Sequence, residues 1–195
     1  MPETNLLQQI IDNAVLLQIG QKVIAVIRAR TLRGEFLPGS TSKGYSTKDA
    51  SMPWGALEER IGKGNASKVF RDIRDGNNQD KIFMTSKRMW ITLKGGYKRM
   101  REITGRETDR VTLNWTGHMM RSLATKADPA APSVTIYFTD KEAETIASYH
   151  HTGAGRNRIK RLFMGLADKE RSDIEKYLGE EILKKLKLNI PTPKQ

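Results

Sequence analysis

The sequence predicts an α+β fold: a small antiparallel sheet packed by helices, with a long N-terminal helix and an extended arm loop. Three observations lead there. Ser133-Val-Thr-Ile-Tyr-Phe138 alternates and is rich in β-branched and aromatic residues, as a half-buried strand requires. Two stretches near the chain ends instead carry apolar residues at helical spacing: Leu6, Leu7, Ile10, Ile11, Ala14, Val15 and Leu17, then Ile174, Tyr177, Leu178, Ile182, Leu183 and Leu186. Between them, residues 31–55 are broken by Gly34, Pro38, Gly39, Gly44, Pro53 and Gly55, with serines and threonines interspersed.

Taken in order, the first stripe predicts a helix over residues 4–30, with Thr4 or Asn5 as N-cap and Arg28 and Arg30 at its negative end. The pattern blurs at Gly20, and residues 23–27 are β-branched or small, which weakens the second half. Residues 31–60 read as an arm or long loop. Phe36, Leu37, Tyr45, Met52 and Trp54 are apolar anchors that a disordered linker would lack. Phe36, Leu37 and Trp54 are therefore candidates for a surface laid on a neighbouring subunit, against the plainer reading of a loose loop with Trp54 partly docked. Residues 67–74 fit a short helix or a strand, and Asp75-Gly-Asn-Asn78 is a turn.

Met89, Trp90, Leu93, Tyr97, Met100 and Ile103 fall on one helical face, interrupted by Gly95-Gly96 at about 1 kcal/mol per glycine. One kinked helix and two elements meeting at the glycines fit equally; Gly105 ends the second. Asp128-Pro-Ala-Ala-Pro132 turns the chain into the strand at 133–138. A short helix over 141–150 and a second strand over 161–166 follow. Asp168 then caps the last helix, with Asp168 and Glu170 at its positive end and Lys184, Lys185 and Lys187 at its negative end, until Pro191 and Pro193 stop it. The expected organisation is an N-terminal helix (1–30), an arm (31–60), an α+β core (61–190) and a tail (191–195).

With 195 residues the chain suits one domain and an arm. Its 34 Lys and Arg against 22 Asp and Glu leave a net charge of +12, which favours contact with polyanions. No cysteine is present, which excludes disulfides, thiolate metal sites and a cysteine nucleophile. The start lacks the basic region and apolar run of a signal peptide, and no apolar stretch reaches the ~18 residues that span a bilayer. The expectation is a protein made and used in the cytoplasm, with no membrane partner.

The chemistry-bearing residues do not assemble into a catalytic set. His118, His150 and His151 are the only histidines, and neighbours in one strand diverge, so His150 and His151 are expected to split, one packed and one in solvent. Asp140, Glu142 and Glu144 could suggest a two-metal cluster, but acidic residues at a helix start need no metal to explain them. Gly153-Ala-Gly155-Arg-Asn-Arg158-Ile-Lys-Arg161 is a dense basic loop without the Gly-Lys-Ser/Thr ending of a phosphate-binding loop. It reads as a phosphate-backbone contact, a clasp on an acidic neighbour, or a solvated turn. No enzyme, no metal and no cofactor are expected.

The order of features from Met89 to Leu178 resembles the phage virion-morphogenesis, or tail-completion, family. Trp90, Leu93 and Tyr97 precede Gly105; Leu113, Thr116, Gly117, Met120, Ser122 and Leu123 follow. Then come the strand at 134–138, a loop with Ala147, Tyr149, His151 and Gly153, and Arg161-Leu-Phe-Met-Gly-Leu166 before an acidic helix. Leu162 stands where the family has proline, and the Tyr-Ala order is disturbed. The resemblance covers about half the chain. It implies a structural, non-enzymatic virion protein: a ring, often a hexamer, at the junction of tail tube and head connector, as tail terminator, tail-completion or neck protein. The implied partners are copies of itself, tail-tube and head-connector proteins, and non-specific contact with genomic DNA. In such a ring Arg161 is the candidate for a subunit contact, and Arg156, Arg158 and Lys160 for a basic loop facing the DNA channel or solvent. The alternative from another class is a basic, non-sequence-specific nucleic-acid-binding accessory protein; a nuclease is the third reading.

Overall fold

The computed structural model describes residues 11–41, 44–76, 80–113, 117–128, 130–154 and 158–189. The fold is α+β, with seven helices and two small antiparallel sheets among these residues. The chain divides into two compact units, one built from Met1–Ser42 with Thr112–Gln195, the other from Lys43–Val111. The boundaries expected from the sequence cut across both.

The first unit is organised on α1 (Asn13–Leu32). The expected caps Thr4 and Asn5 lie outside the described residues; the observed cap is Asp12, whose side chain accepts from the Val15 N–H at 2.9 Å. That bond and the ion pair with Lys185 hold the Asp12 carboxyl below its usual range, with Lys185 the larger cause. The helix continues through the β-branched stretch because Val23, Ile24 and Ile27 are buried, and packing outweighs their modest propensity cost. Gly20 sits where α1 crosses a hairpin of β4 (Leu123–Asp128) and β5 (Ser133–Phe138). A Cβ there would lie 2.6 Å from Thr125 Cγ2 and 2.7 Å from Val134 Cγ2. The residue that blurs the helical pattern is thus the one that lets helix and sheet touch.

The strand expected at 133–138 is present, but its partner is β4, in a register pairing Leu123 with Phe138 through Asp128 with Ser133. Residues 161–166, expected as the second strand, form no strand. Val134, Ile136 and Phe138 turn toward the core, which also takes residues from α5 (His118–Arg121), α6 (Lys141–Thr152) and α7 (Asp168–Asn189). Ile174, Tyr177 and Leu178 of α7 join this core as expected, whereas Leu183 is exposed. Asp168 is the first helical residue rather than the cap.

The second unit contains a three-stranded sheet in the order β1 (Ala50–Pro53), β3 (Met89–Leu93), β2 (Lys81–Met84), all antiparallel. Helices α2 (Trp54–Ile61), α3 (Lys63–Arg74) and α4 (Gly96–Ile103) supply the rest. The expected arm is therefore interrupted by a strand and, from Trp54, a helix. The stripe from Met89 to Ile103 is a strand followed by a helix, two elements meeting at the glycines. Gly95 is left-handed (φ 83°) and Gly96 also has positive φ (54°); a Cβ on Gly96 would fall 1.9 Å from the Lys48 carbonyl oxygen. No other residue fits that turn.

Two glycine substitutions separate packing from propensity. Gly20→Ala should destabilise the protein by about 1–3 kcal/mol, because overpacking outweighs the helical gain. Gly179→Ala, in α7 with nothing within 4 Å of the added Cβ, should stabilise it by up to about 1 kcal/mol. Urea unfolding followed by circular dichroism reads both; equal signs would contradict the close helix–hairpin approach.

Candidate functional site

The most heavily wired segment of the first unit is a strap over residues 158–166, which holds the site candidates Arg158, Lys160 and Arg161. On one side stands Arg30, in the last turn of α1 and only 4% exposed. Its Nη2 donates to the carbonyls of Phe163 (2.6 Å) and Gly165 (3.0 Å), while Nη1 pairs with Glu170. Glu170 also accepts from the Ala167 N–H at 2.8 Å. This is the glutamate half of a capping box, closing the first turn of α7. One guanidinium fork therefore fixes α1, the strap and the start of α7 together.

On the other side His151 accepts from the Met164 N–H at 3.1 Å and, longer, from Phe163 at 3.4 Å; its ring meets Phe163 edge-on at 5.0 Å. Residues 37–41 run antiparallel beside the strap. The Leu37 N–H donates to the Leu162 carbonyl (2.8 Å), the Thr41 N–H to that of Lys160 (2.7 Å), and the Ser40 hydroxyl accepts from the Leu162 N–H (2.9 Å). The Arg161 N–H donates to the His150 carbonyl at 2.8 Å. Here lies the reason the strap reads as a strand without being one: its backbone bonds go to an irregular segment and to side chains, not to a ladder.

Phe36 and Leu37 are half-buried, and Phe36 packs on the core of its own unit. At this end the expected arm lies on its own chain. Arg161, half-buried, shares the strap with them. Arg158 and Lys160 are exposed, Arg158 with a positive φ of 44°; Arg156 lies outside the described residues. Trp54 belongs to the other unit, where it meets Phe70 edge-on at 5.8 Å. It borders an open depression of about 490 Å³ with Pro53, Glu59, Arg88 and Met89. The candidates thus fall in two places. Arg30, Ser40 and Glu170 escape a sequence reading as site residues, since a basic residue at a helix end or a glutamate in a first turn has an ordinary explanation, and His151 is marked there only by the resemblance and as one of three histidines. The one available signal is Glu170 three residues after the cap position.

Both adjacent histidines are on α6 and both are partly buried, so the expected split into packed and solvent-facing does not occur. Burial pushes the His150 pKa down to about 4, with Arg161 and His151 adding to the effect. Burial also lowers that of His151. Asp140 caps α6 by accepting from the Ala143 N–H at 2.8 Å and faces His118 at 3.2 Å; both lower its pKa, the backbone bond first. Among the described residues no group of three or more His, Asp and Glu side chains could hold a metal ion. No helix among them is long and apolar enough to cross a membrane. Comparison with protein-family models, curated proteins and solved structures finds no match to this chain.

Removing the fork should be costly. Arg30→Ala leaves a carboxylate and two carbonyls without their donor, and should lose about 3–5 kcal/mol of stability. Arg30→Lys should recover only part, because a point charge cannot span the three acceptors. A loss below about 1 kcal/mol for Arg30→Ala in urea melts would show that the clamp is not needed.

The histidines give a pH dependence with a definite sign. The fold holds His150 neutral, while the unfolded chain takes up its proton near the ordinary value of 6.5. Stability is complete above that value and falls as the pH drops toward about 4. Between pH 7 and 5 the loss from His150 should be about 2 kcal/mol, and His150→Gln should flatten the curve. The depressed carboxylates of Asp12 and Asp140 act at lower pH. A wild-type curve flat from pH 7 to 5 would refute the assignment.

Proposed function

We propose that this chain is a structural subunit of a phage head–tail junction, a tail-completion, tail-terminator or neck protein that assembles into a ring, often a hexamer in proteins of that kind. It acts in the virion and is assembled in the host cytoplasm. It joins tail tube to head connector and carries out no chemical reaction.

One observation carries the reading. Segments of the resemblance that are far apart in sequence meet in one core: Met120 and Leu123, Phe138, Ala147, and Phe163 with Leu166. His151 lies against Phe163 of that core. These motif residues from the second half of the chain share the core of one unit; Trp90, Leu93, Tyr97 and Gly105 belong to the other. A second feature agrees with it. The hairpin of β4 and β5 has only two strands, so each strand presents an edge without a strand partner among the described residues. Two unlike edges on one subunit suit a head-to-tail contact, the kind that closes into a ring.

The test is the mass in solution. Sedimentation velocity of the 22.1 kDa chain should give one species at several times that mass, annular in negative-stain images. A monomer across the accessible concentration range would overturn the proposal. Charge reversal should divide the basic loop: Arg161→Glu weakens assembly, whereas Arg158→Glu with Lys160→Glu leaves the ring mass unchanged. The reverse outcome would show that the exposed end of the loop is the contact.

A further inference from the structure

We propose that the open face of the three-stranded sheet in the second unit is a platform for unpaired bases of a single-stranded nucleic acid. The proposal rests on that unit alone, so it stands or falls independently of the ring.

The register defines the face. Pro53, Trp90 and Phe83 lie across the three strands in one row, and Ser51, Thr92 and Lys81 in the next. The opposite face carries Ile91 and Leu93, both fully buried. Phe83 and Trp90 stack nearly parallel, at 6.4 Å and 17°, yet Phe83 keeps 43% of its surface in solvent. Exposed stacked rings are costly to leave uncovered, and they match the faces that unpaired bases present.

Charge selects the occupant. Residues 43–111 hold 16 Lys and Arg against 9 Asp and Glu, a net +7 of the chain's +12. The three strands contain no carboxylate. The two carboxylates that immediately precede strands are already engaged. Asp49 pairs with Lys94 and accepts from the Gly95 N–H; Asp80 accepts from the Lys94 N–H (2.7 Å) and from Arg99 (3.2 Å). Lys81, on the face itself, and Lys87 and Arg88, in the β2–β3 turn, are exposed. A polyanion that also offers flat apolar rings satisfies both features. A duplex keeps its base faces stacked inside and offers the rings nothing. A second copy docked face to face would set like charges together.

The experiment uses the full chain and a short dye-labelled oligothymidylate, read by fluorescence anisotropy at low and raised salt. Binding should appear at low salt and weaken as salt rises. Phe83→Ala should weaken it by about 5- to 100-fold, the range that loss of one stacked base implies. Trp90→Phe, which keeps a ring, should lose less. Phe83→Leu preserves apolar volume without the ring and should bind as poorly as Phe83→Ala, so the proposal stays testable should the alanine variant fail to fold. Replacing Lys81, Lys87 and Arg88 by Gln should flatten the salt dependence, and a duplex of equal length should compete less well. The proposal is overturned by no binding at low salt, by equal binding of duplex and single strand, or by unchanged binding of Phe83→Leu. It is equally overturned if the Phe83 variants change the sedimenting mass and leave oligonucleotide binding intact, for then the face belongs to a contact between copies.

Discussion

A guanidinium that is 4% exposed is a liability unless acceptors meet it, and the Nε of Arg30 is in fact buried without one among the described residues. Arg30 is tolerated because two of its nitrogens together meet two carbonyls and a carboxylate. Those acceptors come from places that would otherwise have little reason to stay together. The Phe163 and Gly165 carbonyls belong to a strap with no sheet to join. Glu170 belongs to the first turn of α7, whose free N–H groups favour a carboxylate. Attaching both to the end of α1 sets where α7 begins, and with it the position of Ile174, Tyr177 and Leu178 in the core. Farther along, the Asp12–Lys185 ion pair and Lys22 over the Tyr177 ring (4.2 Å) join the same two helices again. Those groups are more exposed, and screening makes them weaker than the fork.

The strap shows a related constraint on hydrogen bonding. An irregular segment that runs over a core must find partners for its own N–H and C=O groups. Here the neutral His151 ring serves as an acceptor for backbone N–H groups, Ser40 for another, and residues 37–41 supply donors. Protonating His151 would turn its acceptor nitrogen into a donor facing the Met164 N–H. Burial, which lowers the His151 pKa, thus favours the neutral form that this bond requires.

What could be read from the sequence follows from how local the determining physics is. The α+β class and the strand at Ser133–Phe138 were legible, as were α6 and most of α7, because alternation, helical spacing and caps are carried by near neighbours. Where the sequence was wrong or left alternatives open, distant contacts decided the outcome. Met89–Leu93 has helix-compatible spacing, yet β1 and β2 flank it and make it the central strand. Residues 161–166 look like a strand, but Arg30 and His151, remote in sequence, use the bonds a ladder would need. Gly20 looked like a flaw in a helix, and only the hairpin packed on it explains its absent side chain. Phe36 and Leu37, read from the sequence as anchors for a neighbouring subunit, are half-buried against the chain's own core and strap.

The distribution of polar wiring differs between the units in a way that bears on function. In the first unit, buried or half-buried ionic and hydrogen-bonding side chains such as Arg30, Glu170 and His151 are turned inward, onto backbone groups that need partners. In the second, Arg101 is buried under the Tyr45 ring (4.3 Å) and donates to the Glu107 carbonyl, and Asp80 is taken up by Arg99 and a backbone N–H. Asp80, engaged in this way, supplies no counter-charge to the sheet face, where Lys81, Lys87 and Arg88 remain exposed. The result is a surface whose cations outnumber its available anions beside rings left partly uncovered. Stability alone does not call for that arrangement: covering Phe83 and distributing carboxylates among those cations would satisfy the hydrophobic effect and electrostatics together. A face that departs from both at once is better explained by something it binds than by the fold that carries it.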